Sequence, residues 1–312
     1  MSRARIILWS LLLVVAALIA LAWFSFREPR AGGEPLSYWL KLGANPAGIG
    51  DDAPSVPQSE AAIREIGTKA IPTLLAKLRT TDSPWKQKTY QLLNKQNFYS
   101  FEFVWPYQEN AEGIYGFAVL GSNALPALPA LELMFWDTNT SWQAGQALGH
   151  LGLVSLPILR AGFTNADRTF RWAALHGTTP SNMAVATIAD MRQLVRDPDT
   201  YVAIGAFYRL MQFATREEAT QLVIENLEGN DVRLRRSALN QLSRVDLETN
   251  RVIPVLVRLL DKPDHRFQLS LTNMLKRLDP VAAAAAGINT NPPPVFTGRP
   301  GGRGRGRGRG PG

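Results

Sequence analysis

The strongest constraint on this chain is a phrase that returns. Ala70-Ile-Pro-Thr-Leu74, Ala124-Leu-Pro-Ala-Leu128, Ser155-Leu-Pro-Ile-Leu159 and Val252-Ile-Pro-Val-Leu256 share one apolar-Pro-x-Leu core. Pro126 and Pro157 lie 31 residues apart, and Pro157 to Pro254 is 97, close to three such steps. Pro72 to Pro126 is 54, one step plus an insertion of roughly 23 residues. A fixed period in the 30s, with no strand-like alternation, predicts paired helices repeated along the chain. Each proline is expected near the start of a first helix, where its missing N–H is tolerated.

Second helices are predicted behind turn-forming segments at Asp82-Ser-Pro, Asp137-Thr-Asn, Asn165-Ala-Asp, Asp197-Pro-Asp, Asn230-Asp and Asp261-Lys-Pro-Asp. Asp and Asn accept hydrogen bonds from the free N–H groups of a first turn. An apolar column runs through Ala144, Ala174, Ala206, Ala238 and Leu271, spaced by 30, 32, 32 and 33 residues. Four residues on, and so on the same helical face, runs a second column: Leu148, Leu210, Leu242 and Leu275.

The pattern resembles the HEAT repeat family in its bacterial form, with Leu-Pro-x-Leu in the first helix and a Val-Arg-x-x-Ala-like second helix. Phe170-Arg171-Trp-Ala-Ala174 and Leu234-Arg235-Arg-Ser-Ala238 match that second phrase best. The resemblance spans about residues 58–280 and implies an all-α fold, an α-solenoid of about six helical hairpins. The units around 184–213 lack the proline. The resemblance also implies that second helices line a concave face, that such folds bind rather than react, and, remotely, an accessory role to lyase-type enzymes that hold pigment noncovalently.

A net charge of +8 suggests a polyanion partner until it is divided. Residues 1–30 carry +3 and the five arginines from Arg299 onward carry +5, so the body is neutral. A neutral body has no general field to attract a phosphate backbone. With no cysteine, disulfides and thiolate chemistry are excluded.

The ends carry separate signals. After a basic segment at 1–5, residues 6–26 are uncharged, with Ser10 and Ser25 the only polar side chains and Trp9 and Trp23 near the two edges. About 20 apolar residues suffice to span a bilayer, so a membrane anchor is expected. Its rival is a signal peptide cleaved near Ala20-Leu-Ala22. Either places the body outside the cytoplasm. Residues 27–57 are expected as a flexible linker, with a short helix near 36–42 capping the first repeat. The tail, 281–312, ends in alternating Arg and Gly at Arg299, Arg303, Arg305, Arg307 and Arg309. It is expected to be disordered and to make weak, salt-sensitive contacts with anionic polymers or lipid headgroups.

Candidate working surfaces are aromatic. An insertion near 94–116 holds Phe98, Tyr99, Phe101, Phe103, Trp105 and Tyr107, six aromatics in ten residues, whose alternation suits an extended segment. It either plugs a gap against its own repeats or offers a partner-binding edge. Trp142 and Trp172 share a repeat register, with Arg171 adjacent and Arg235 and Arg236 in the equivalent turn two units on. Together these suit capture of a peptide, the alternative being packing between repeats.

Catalytic signals are thin. His150, His176 and His265 fall in separate units, and no Gly-x-Ser-x-Gly, His-Glu-x-x-His or phosphate-cradling loop is present. The sequence therefore predicts a non-enzymatic, membrane-tethered scaffold that docks a partner protein, with no cofactor and no small-molecule substrate. The alternative is nucleic-acid or polyanion binding through the Arg-Gly tail, with the helical body as spacer.

Overall fold

The computed structural model describes residues 28–45, 55–81, 85, 88–89, 104–261 and 265–289. The expected anchor at 6–26, residues 290–312 of the tail expected to be disordered from 281, and Phe98, Tyr99, Phe101 and Phe103 of the insertion lie outside the described residues; residues 281–285 of that tail are helical instead. What is described is all-α apart from one two-stranded ribbon. It divides into two compact units, one ending at Phe213 and one beginning at Ala214.

The first unit opens on antiparallel strands β1 (Arg30–Ala31) and β2 (Glu34–Pro35), registered Arg30 to Pro35 and Ala31 to Glu34. Helix α1 (Leu36–Ala44) comes directly after. The Glu28 carboxylate accepts from the Ser37 amide at 2.6 Å and its hydroxyl at 3.1 Å, meeting the free donors of the first turn. Leu36, Leu40 and Leu42 are buried, and the Trp39 indole donates to the Ala31 carbonyl at 3.1 Å. The linker expected over 27–57 is thus ordered between Glu28 and Asn45, because this helix packs on α2 (Val56–Ile66) and α4 (Pro106–Leu120). Between those two lies α3 (Ile71–Leu78), whose Leu74 and Leu78 pack against Gly113 and Gly116 of α4.

The pairs continue as α5 (Leu128–Phe135) with α6 (Ser141–His150), then α7 (Leu156–Phe163) with α8 (Arg168–His176). The short helices α9 (Ser181–Ala186) and α10 (Ile188–Leu194) precede α11 (Thr200–Met211). Second helices touch in sequence order, α4 on α6, α6 on α8 and α8 on α11. Each also packs on the first helix of its own pair. The column residues of this unit, Ala144, Ala174, Ala206, Leu148 and Leu210, are all buried, none more than 2% exposed.

The second unit holds α12 (Arg216–Glu228), α13 (Val232–Gln241), α14 (Thr249–Leu259), α15 (His265–Leu278) and α16 (Pro280–Ala285). Helix α12 packs on α13 and α14, and α15 on α13, α14 and α16. Ala238, Leu242, Leu271 and Leu275 are buried there.

Helix starts reflect side-chain chemistry. Asp167, Asp199 and Asp231, each 32 residues from the next, are N-caps whose carboxylates accept from amides of the first turn. Asp137 is different: Thr140 occupies the cap position of α6, and Asp137 instead turns the loop by accepting from the Asn139 amide at 3.0 Å.

The prolines divide. Pro72 and Pro157 stand in the first turns of α3 and α7. Pro126 lies within a 3₁₀ segment, Gly121–Ala127, and Pro129 takes the first-turn place in α5. Pro254 is inside α14, where it cannot donate to the preceding turn. The expectation that every proline begins a helix therefore fails at two of the four phrases. A more regular mark is a glycine five residues earlier. Gly67, Gly121 and Gly152, with φ of 62°, 54° and 84°, end the preceding helical stretch and open a 3₁₀ turn. In the pair that ends in α11, where proline and glycine are both missing, the first helix is split at Thr187, whose hydroxyl donates to the Met183 carbonyl at 2.9 Å; α12, which also lacks both, is continuous.

One described run, Pro106–Phe135, is long and apolar enough to cross a membrane by length and composition. It is made of α4, the 3₁₀ turn at Gly121 and α5, which pack on α3 and α6.

Candidate functional site

Helices α6 and α8 approach closely because two glycines face carbonyls. A Cβ on Gly145 would run into the Ala173 carbonyl, and one on Gly149 into that of Gly177. Only hydrogen at these positions permits the seam. The closeness brings side chains at the exposed edge of the two helices together.

Trp142 and Trp172, matched by register in the sequence, do meet, but through a third ring. The His176 imidazole lies edge-on to Trp172, with 4.5 Å between centroids, and edge-on to Trp142 at 5.8 Å. Trp142 is 40% exposed. Trp172 is half-buried against α11, where a Cβ on Gly205 would lie 2.8 Å from the indole Cζ3. The rings are therefore both packing elements and surface.

One helical turn beyond each of these positions stands a polar residue: Gln146 after Trp142, His176 after Trp172, Arg209 after Gly205. The Gln146 Nε2 and His176 Nε2 atoms are buried without a hydrogen-bond partner among the described residues. Arg209 is half-buried, and no described side chain forms an ion pair with it. Burial lowers its pKa. Burial, and then the nearby Arg209 charge, lowers the His176 pKa to about 4, so the ring is neutral at physiological pH.

Beside Trp172 an open cavity of about 370 Å³ is lined by Arg168, Thr169, Trp172, Asp199, Tyr201 and Val202. The Arg168 guanidinium donates to Asp199 at 2.9 Å on its rim. A second hollow, of about 280 Å³, lies between α1 and α4, with Lys41, Tyr107 and Glu112 on its wall.

Two of the arginines singled out in the sequence, Arg171 and Arg235, have other work. Arg171 donates through Nε and Nη2 to both Asp197 oxygens, at 2.7 and 2.9 Å, and through Nη1 to the carbonyls of Asn165 and Ala166. Its side chain is 11% exposed, so it ties the loop before α8 to the loop before α11 and is not offered to a partner. Arg235 is buried, donates to the Gly229 carbonyl at 2.8 Å, and places its guanidinium 5.4 Å from the Phe267 ring centre. Arg236 is exposed. These last two belong to the second unit, and the rings to the first.

Within the insertion, Trp105 and Tyr107 are 45% and 66% exposed. Trp105 is extended, but Tyr107 is helical: Pro106 begins α4, and the Gln108 side chain accepts from the Trp105 amide at 2.8 Å, closing the first turn. Arg299, Arg303, Arg305, Arg307 and Arg309 lie outside the described residues. Among the described residues, no three His, Asp or Glu side chains stand together as metal ligands.

Sequence reasoning passed over Gln146 and Arg209, and weighed His176 only for catalysis or metal binding. Their signal was their place four residues after Trp142, Trp172 and Gly205. Comparison with protein-family models gives no match, and comparison with curated proteins gives none either.

Proposed function

We propose that this chain is a membrane-tethered helical-repeat scaffold that docks a partner protein or extended peptide on the α6–α8–α11 edge. The observation that carries the reading is the Trp142–His176–Trp172 row, in which Trp142 is exposed and the buried nitrogens of His176 and of neighbouring Gln146 are left unpaired. Aromatic anchors beside unmet hydrogen-bonding groups are what interface hot spots are made of. The α-solenoid reading is supported by the recurrence of links between residues about one period apart. Arg160 pairs with Asp190, Arg168 with Asp199 and Arg258 with Glu228, so each unit holds chiefly its neighbour. The uncharged run at 6–26 supports the tether.

A photoreactive phenylalanine analogue replacing Trp142, in the full-length protein in its own membranes, tests this. One discrete protein adduct is expected, lost with Trp172→Ala in a folded variant and kept after deletion of 299–312. An adduct no different from that formed with the analogue at exposed Leu133 overturns the reading. An adduct that disappears with the tail transfers the function to the Arg-Gly tract.

A further inference from the structure

The polar row and the cavity share Trp172 as a common wall. Its ring packs in a T-shaped pair with His176 and also lines the hollow with Tyr201 and Val202. Gln146, His176 and Arg209 sit one helical turn, about 5.4 Å, along the axes from Trp142, Trp172 and Gly205. Among the described residues, two buried nitrogens without partners and a half-buried cation without an ion pair leave the site short of negative charge and of acceptors. Of the two acidic groups in the loop before α11, Asp199 is taken by Arg168 and Asp197 by Arg171. In a native protein such groups are met by water or by a ligand.

We infer that this edge binds the C-terminal residue of a peptide, its carboxylate received by Gln146, His176 and Arg209 and its apolar side chain by the cavity beside Trp172. A terminal residue carries both groups on one Cα, matching a separation of about one turn. Internal acidic and apolar neighbours in an extended peptide point to opposite faces. Trp142 touches the His176 ring and keeps much of its own surface in solvent. The inference rests on the docking reading and names its ligand.

The test uses the full chain in detergent micelles and three probes, with binding read by tryptophan fluorescence. They are acetyl-Ala-Ala-Phe with a free carboxylate, the same peptide as its C-terminal amide, and the capped peptide acetyl-Phe-Ala-Glu-Ala-amide. The free acid is expected to bind at least about tenfold more tightly than either capped peptide. Arg209→Met and Gln146→Leu should each remove that preference without lowering the melting temperature, since each replaces an unpaired polar group with an apolar one. Arg209→Lys should keep most of it and guards against a fold defect in the methionine variant. Equal binding of acid and amide, tighter binding of the internal glutamate peptide, no binding of any probe, or an acid preference that survives Arg209→Met each overturns the inference. If the photo-adduct at position 142 persists in that event, docking stands and only its ligand is wrong; if the adduct is also missing, both fall.

Discussion

Arg171 grips Asp197 with two parallel N–H···O bonds, 26 residues away in sequence and almost wholly buried. Charge is thereby spent inside the loops that join helix pairs, although the repeat register alone places it on a working surface. Hydrogen bonding to Asp197 raises the Arg171 pKa, the sense expected of a cation held by its partner.

Removing one partner strands the other. Asp197→Ala should cost about 3 kcal/mol, read as a lower urea midpoint at unchanged slope, because a buried guanidinium is left uncompensated. Arg168→Ala, which breaks the exposed pair with Asp199, should leave the urea midpoint nearly unchanged.

Two prolines in the same phrase should respond with opposite signs. Pro254→Ala restores a donor inside α14 and should raise stability by about 1 kcal/mol or more. Pro157→Ala, in the first turn of α7, should lower it by about 0.5 kcal/mol, because a pre-set φ is lost and the unfolded chain gains freedom. Thermal melts of the two variants side by side decide the matter.

Gly149→Ala should cost about 1–3 kcal/mol or more, since the added methyl meets backbone at Gly177 and no side chain can yield. The same variant should change the near-ultraviolet circular dichroism of Trp142 and Trp172 by parting their helices. A variant with native stability and spectrum would show that the α6–α8 seam can open without penalty.

The His176 pKa of about 4 lies below the ordinary value of 6.5, so the unfolded chain binds more protons between those two pH values. Stability should therefore be full above pH 6.5, fall as pH drops toward 4, and level off below it. His176→Gln should flatten part of that slope in urea titrations at stepped pH. Some slope of the same sign should remain from His150, whose pKa is also lowered by burial.

What the sequence made legible is what repeats. The alanine and leucine columns and the caps at Asp167, Asp199 and Asp231 could be found because one small side chain recurs where helices touch, and one carboxylate where they begin. Trp142 and Trp172 were found in the same way. The rest depended on contacts that no period announces. Arg171 looked available because its partner, Asp197, lies in the next loop. Gln146, His176 and Arg209 belong to different helices, and the helices of the first two come together at Gly145 and Gly149, residues whose importance lies in atoms they lack. Pro254 shares its phrase with Pro72 and Pro157, but α14 begins at Thr249, a turn earlier than that analogy implies.

The glycine turns at Gly67, Gly121 and Gly152 have a consequence for how such a chain can change length. Among the described residues every positive φ belongs to glycine. Each of these three opens a 3₁₀ turn that leads into the next first helix, whether the spacing from the glycine before is 54 residues or 31. Phase is thus reset at a single backbone angle. Added sequence can grow between two such points without shifting the helices beyond them, so the chain can acquire new surface in one unit while the others keep their places.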